Sequence, residues 1–217
     1  MLAPFHSFTD LPAHLPLFPL TGVVLLPRGA LPLNIFEPRY LKMVDDALKG
    51  DRLIGIIQPS QDPDRVLKPN LSAVGAAGRI VSFRETDDNR YLMTLSGLCR
   101  FRLTSEVAGD TPYRLGACDF SSFAGDLAES GDENDFPRDR LMAALKDYLN
   151  NHDLKADWKS VMNAPPEALV NALAMMCPFE PAEKQALLEA PGFGDRASTL
   201  VALLEMARNF GGPQTIN

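Results

Sequence analysis

Cysteine is scarce in this 217-residue chain: three in all, Cys99, Cys118 and Cys177, at spacings that fit neither a zinc motif nor a redox pair. A disulfide scaffold is not expected, and buried thiols in a reducing compartment are. Long apolar runs are missing too. Leu15–Leu20, Val23–Pro27 and Leu31–Phe36 are short and broken by proline, far below the roughly 18 to 20 residues that cross a bilayer. The N-terminus has no basic region and carries Asp10, so it reads as neither a secretory signal nor a transit peptide, and the cytoplasm is the expected compartment, with no membrane partner. No Gly-Lys dipeptide occurs, which excludes the phosphate-cradling P-loop. No serine has the Gly-x-Ser-x-Gly setting of a nucleophile elbow, Ser96 in Leu-Ser-Gly-Leu included. His6, His14 and His152 are scattered without metal-ligand spacing, so neither a metal nor another cofactor is expected. Positive charge is in deficit, 21 basic against 28 acidic residues for a net charge of −7, and this disfavours a dedicated nucleic-acid binder.

What is present is enough apolar material for a core, 46% of residues, distributed unevenly. Residues 1–120 hold 13 basic and 13 acidic side chains, leaving 8 basic and 15 acidic for the remainder. Texture changes at the same place, from Pro-, Gly- and β-branched runs to apolar residues at helical spacing. The reading is a mixed α+β chain: a flexible stretch 1–14, a β-rich domain 15–123 with one helix, an acidic linker 124–136, a four-helix bundle 137–211 and a tail 212–217. In the first domain Leu15–Leu20, Val23–Leu26 and Leu31–Phe36 read as strands, and Pro38 opens a helix with Leu41, Val44 and Leu48 inward and Gly50 at its end. Arg52–Gln58 reads as a buried strand. Gly78–Glu85 and Arg90–Ser96 flank the turn formers Thr86 to Asn89 as a hairpin, and strands follow at Leu98–Ser105 and Tyr113–Phe120. Within Leu98–Ser105, Cys99, Phe101 and Leu103 alternate with Arg100, Arg102 and Thr104, the period of a sheet wet on one side. In the bundle, Pro137 opens a helix striped by Leu141, Leu145, Tyr148 and Leu149. Leu169, Ala172, Leu173 and Met176 stripe the next, Leu187 and Leu188 belong to a helix starting at Pro181, and Asp195 caps the last, with Leu200, Leu203, Leu204 and Ala207 inward.

Two clusters could carry recognition. Arginines at 79, 84, 90, 100, 102 and 114 gather on the hairpin and its neighbours, and Arg84, Arg100 and Arg102 are the core of a candidate basic face, although Glu85, Asp87 and Asp88 sit at the hairpin tip. Trp158, Met162 and Met175–Met176 read as bundle core, the competing reading being a soft surface for varied apolar partners.

These residues resemble a known family, the N-terminal substrate-binding domain of the Lon protease in its stand-alone bacterial form. The motifs that carry the resemblance are Leu15-Pro-Leu-Phe-Pro-Leu20, Val23-Val-Leu-Leu-Pro27 and Leu31-Pro-Leu-Asn-Ile-Phe-Glu-Pro-Arg-Tyr40. Val74-Gly-Ala-Ala-Gly-Arg-Ile80, Arg90-Tyr-Leu-Met-Thr-Leu-Ser-Gly97, Cys99-Arg-Phe-Arg102 and Pro112-Tyr-Arg114 follow in order. The resemblance implies a twisted β-barrel-like, PUA-like domain followed by a C-terminal α-helical bundle. It also implies a non-enzymatic polypeptide-binding module, because the ATPase and protease domains of full-length Lon lie outside these residues. Expected partners are unfolded or partner polypeptides, with a separate protease as a further candidate. The candidate contacts are Phe36, Glu37, Arg39 and Tyr40, a block that also serves to cap and aim its helix. The alternative is RNA binding through Arg84, Arg100 and Arg102, and a small-molecule enzyme with a pocket hidden from sequence is a third, weaker reading.

Overall fold

The computed structural model describes residues 5–60, 68–128 and 136–210. Its strands are β1 (His14–Pro19), β2 (Ala30–Ile35), β3 (Leu53–Pro59), β4 (Leu71–Glu85), β5 (Tyr91–Val107) and β6 (Arg114–Asp119). The helices are α1 (Pro38–Lys49), α2 (Arg138–Asn151), α3 (Trp158–Asn163), α4 (Pro166–Met176), α5 (Pro181–Glu189) and α6 (Phe193–Phe210). The described residues divide into two compact units, one of strands plus Phe179–Leu188, the other of helices up to Pro178 and again from Glu189.

In the strand unit β1 runs parallel to β3, with Leu17 opposite Gly55, and the chain makes that crossover through β2 and α1. The sheet order is β2-β5-β4-β3-β1-β6, and β6 returns to pair with β5. Five strands thus close a circuit, the twisted barrel-like sheet that the family resemblance implied. Closure depends on β5, which is one long strand and not the two expected at Arg90–Ser96 and Leu98–Ser105. Its first half pairs with β2, Leu95 opposite Leu31, and its second half with β6, Leu103 opposite Cys118.

Where β5 changes partner, the backbone of another segment crosses it. Gly97 donates its N–H to Gly29 O and accepts from Arg28 N, both at 2.8 Å. A Cβ on Gly97 would lie 2.0 Å from Leu26 O, so only glycine admits the crossing. That crossing segment, Val23–Leu26, was expected as a strand and is irregular. Its Val24, Leu25 and Leu26 are buried all the same, because it is bound at Gly97 and has no ladder of its own.

β3 is buried along Leu53 to Gln58, as a β-branched run covered on both faces should be. α1 begins at Pro38 and ends against Gly50, as read from sequence, but its buried residues are Tyr40, Met43, Val44 and Ala47. Leu41 and Leu48 flank that face, which is set by the Tyr40 ring packing 4.3 Å from Phe18. The β4–β5 hairpin closes at Thr86 to Arg90, with Asn89 at φ +58, a conformation asparagine tolerates well.

The largest departure from the simple alternation is Arg100, which is 3% exposed and not on a wet face. Its Nε and Nη2 grip the Asp126 carboxylate at 2.9 and 2.8 Å, and its own backbone N–H donates to the same group at 2.9 Å. Asp126, read as part of an acidic linker, belongs to the 3₁₀ turns of Ser121–Leu127 and is 8% exposed. Residues 129–135 of that linker, residues 1–4 and the tail 212–217 lie outside the described residues. Within the stretch 1–14, Phe8–Asp10 forms a 3₁₀ turn closed by a reciprocal capping box between Ser7 and Asp10.

α5, expected in the bundle, is tied to the sheet instead. Gln58 donates to Pro181 O at 2.9 Å and to Gln185 Oε1 at 3.0 Å, Gln185 donates to Val74 O at 3.1 Å, and Arg100 Nη1 donates to Leu188 O at 3.0 Å. In the helical unit the α2 stripe is buried as expected. The α4 face is turned, however, with Leu169, Val170 and Ala174 inside and Met176 81% exposed.

Removing one partner of a buried, hydrogen-bonded ion pair costs about 3–5 kcal/mol, since the other charge is left uncompensated. Asp126→Ala is therefore expected to lower stability by that amount in denaturant unfolding followed by circular dichroism. Arg102→Ala, at an exposed position, should stay within about 0.5 kcal/mol of the parent.

Candidate functional site

Among the described residues, a concave surface is found in each unit. The first, on the strand unit, is a cleft of about 470 Å³ at the start of α1. Arg39 and Tyr40 of α1 face Tyr113 and Arg114 across it, with Lys68 and four prolines completing the lining. Pro38 at the first helical position fixes the direction of α1, and Phe18 beneath Tyr40 fixes the ring. The Arg39 guanidinium stacks over Tyr40 at 4.5 Å and pairs with Glu37 at 2.8 Å. Arg114 donates through Nε to Glu106 at 2.8 Å and through Nη1 to Pro69 O at 2.8 Å, and this hydrogen bonding holds the Glu106 carboxyl below its usual range. Tyr113 donates to Asp46 at 3.0 Å. Burial, reinforced by that carboxylate, pushes the Tyr113 phenol up to about 12, and burial also raises Tyr40.

Of the residues singled out from sequence, Arg39 and Tyr40 share this cleft. Glu37 stands beside it as the partner of Arg39 and makes no side-chain capping bond to α1. Phe36 is 61% exposed at the preceding turn, where Arg90 lies 5.7 Å from its ring. Arg84, Arg100 and Arg102 are not brought together. Arg84 pairs with Leu92 and Arg102 with Val74, at opposite ends of the β4–β5 ribbon, on the order of 30 Å apart at strand rise. Arg100 lies inside.

The second surface, in the helical unit, is a groove of about 520 Å³ between α2, α3 and α4. Leu145 and Leu149 of α2, Val161 of α3, and Leu169, Leu173 and Met176 of α4 supply its walls, and Lys155, Asp157 and Ser160 are the polar side chains at its edge. The stripe read as core therefore lines an open groove. Sequence reasoning missed α3, although Asp157 is a clear capping signal before Trp158. Its carboxylate accepts from Lys159 N at 3.1 Å, Ser160 N at 3.3 Å and Ser160 Oγ at 2.7 Å, and these bonds hold its pKa low. At the other end, Arg138 donates to Met162 O at 2.6 Å and to Ala164 O at 3.2 Å. None of the six residues of α3 is buried. Polar caps hold it in place, while Trp158 and the 58% exposed Met162 stay in reach of solvent.

No group of three or more metal-ligating side chains converges among the described residues. Cys99, Cys118 and Cys177 are unbridged, and burial pushes the Cys99 and Cys118 thiols up to about 12, away from nucleophilic character. No helix among the described residues is long and apolar enough to cross a membrane.

Comparison with known proteins agrees with the architecture. Residues 14–206 match the family described as the ATP-dependent protease La (LON) substrate-binding domain. The chain belongs to the Lon substrate-binding domain family. Among curated members, the Lon protease of Flavobacterium johnsoniae is 26% identical over 201 residues, covering 87% of this chain and 23% of that protein. Lon protease 2 of Sorangium cellulosum is 38% identical over 100 residues, covering 45% of this chain and 12% of that protein. The chain thus spans less than a quarter of the length of these relatives. The Lon N-terminal domain protein from Xanthomonas campestris superposes with a TM-score of 0.61 at 23% identity, covering 87% of this chain and 97% of that one. The N-terminal domain of Mycobacterium avium complex Lon protease gives the same TM-score at 14% identity, with 88% and 97% covered. At these identities the structural matches establish the family's fold.

The cleft tyrosine provides a test of the geometry. A phenol whose folded pKa is raised stabilises the fold fully below the unfolded value near 10, and that contribution is lost as pH rises through about 12. Ultraviolet titration of the folded chain is expected to show Tyr113 still protonated at pH about 10, where a free phenol is half ionised. Asp46→Asn removes the neighbouring carboxylate and should bring that ionisation down.

Proposed function

We propose that this chain is a non-catalytic, cytoplasmic polypeptide-binding module that holds exposed apolar segments of other proteins in the groove between α2, α3 and α4. The observation that carries the reading is the open, almost wholly apolar lining of that groove, with the exposed Met176 in its wall. Flexible, polarisable methionines adapt to clients of varied sequence. Each apolar side chain buried there contributes about 1.5–3 kcal/mol, enough for several weak anchors to sum to useful affinity.

Membership in a substrate-binding family supports the ligand class. The stand-alone, non-catalytic character and a working relationship with a separate protease are part of the proposal. The domain division read from sequence and the candidate contacts Phe36, Glu37, Arg39 and Tyr40 remain proposals as well. The groove is a better seat for an apolar client than that charged block. RNA binding through Arg84, Arg100 and Arg102 has no geometric support here, given the burial of Arg100 and the separation of the other two.

Anisotropy of a labelled, permanently unfolded polypeptide tests the reading. Binding should persist at raised salt and be absent for the folded counterpart. Ala172→Asp and Met176→Asp, at exposed positions on the groove side of α4, should each weaken it by about tenfold or more with unchanged circular dichroism. Undiminished binding in both folded variants would contradict the proposal.

A further inference from the structure

We propose that the α1 cleft of the strand unit is a second ligand site, for a carboxylate-bearing, extended polypeptide segment. It stands on its own observations and is independent of the apolar groove. The cleft, about 470 Å³, falls within the range of small-ligand sites. Among the described residues its lining holds three cations, Arg39, Lys68 and Arg114, and no carboxylate. The acids that balance them, Glu37 and Glu106, stand outside the lining, and the contacts of Arg39 and Lys68 with them are exposed ion pairs, worth little and easily exchanged for a ligand carboxylate. The Arg39 guanidinium carbon lies 4.5 Å from the centre of the Tyr40 ring, and its planar donors suit bidentate contact with a carboxylate. Tyr113 is engaged with Asp46. The remaining walls are rings and prolines, flat surfaces that suit an extended backbone better than a compact metabolite.

The same features disfavour a nucleic acid. Tyr40 has Arg39 at 4.5 Å and Phe18 at 4.3 Å and is 7% exposed, which leaves little of its ring open for base stacking. A chain of net charge −7 also repels a polyanion more strongly than a short acidic peptide.

The intact chain is titrated against a labelled peptide of Asp, Glu, Pro and Gly, its Asn/Gln counterpart, both with free and amidated C-termini, and an oligouridylate. The acidic peptide should bind and the Asn/Gln form with an amidated end should not, with affinity falling as salt rises. A loss on amidating the acidic peptide assigns the contact to its terminal carboxylate, and no loss assigns it to side chains; either supports the site. Arg39→Glu combined with Lys68→Glu should weaken binding by roughly tenfold or more, while Met176→Asp, in the apolar groove, leaves it unchanged. Should the charge reversals disturb the fold, Arg39→Gln with Lys68→Gln reads the same loss. Equal binding of the amidated Asn/Gln peptide, no binding of the acidic one, binding indifferent to the cleft variants, or preference for oligouridylate would overturn the proposal.

Discussion

Arg100 and Asp126 form the contact around which the strand unit is organised. Burying a guanidinium is tolerated when nearly every donor is matched, and here the carboxylate takes two side-chain donors and a backbone N–H while Leu188 O takes another. The Phe123 ring lies 4.5 Å from the guanidinium carbon and fills the remaining face. The pair sits on β5 where that strand passes from β2 to β6, the point where the barrel-like circuit closes. It therefore fixes three things at once: the bend of β5, the 3₁₀ segment that follows β6, and the end of α5. Gln58 does related work at the other end of α5, accepting from Gly22 N at 2.8 Å while donating to Pro181 O and Gln185. The apolar interior gives this unit its stability, and these polar pins specify which segments cover it.

The α1 cleft of the strand unit is lined by charged, aromatic and proline side chains. The helical unit is different in kind. α2, α4 and α6 share a core of Leu141, Leu145, Val170, Leu200 and Leu204, but α3 adds none of its residues to it and instead props open one side. Two kinds of surface thus sit on two kinds of backbone: a cleft lined by cations, rings and prolines on the paired strands, and an apolar trough beside a short, end-capped helix.

Much of this was legible in the sequence because local rules acted alone. Pro38 and Gly50 bracket α1, the turn formers between Glu85 and Arg90 close the hairpin, and the α2 stripe packs as its spacing says. What was not legible depended on distant partners. Arg100 follows the alternation of an exposed residue, and only the return of Asp126, 26 positions later, makes its burial tolerable. Val23–Leu26 has a strand's composition but is held at Gly97 by a crossing that no local signal announces. The α4 stripe is amphipathic either way, and periodicity cannot tell a face that meets another helix from one left open. At the site, Arg39 and Tyr40 were singled out as contacts, whereas Tyr113 and Arg114, quoted in a separate motif, and Lys68 join them only in the folded chain.

The account stands or falls on where an unfolded polypeptide settles. Hydrogen exchange of the intact chain, with and without a saturating unfolded client, tests this most directly. The expected result is added protection confined to α3, the groove side of α4 and the residues of α2 that face them, with the strand unit unchanged. Protection spread along β4 and β5, with none in residues 145–178, would contradict it.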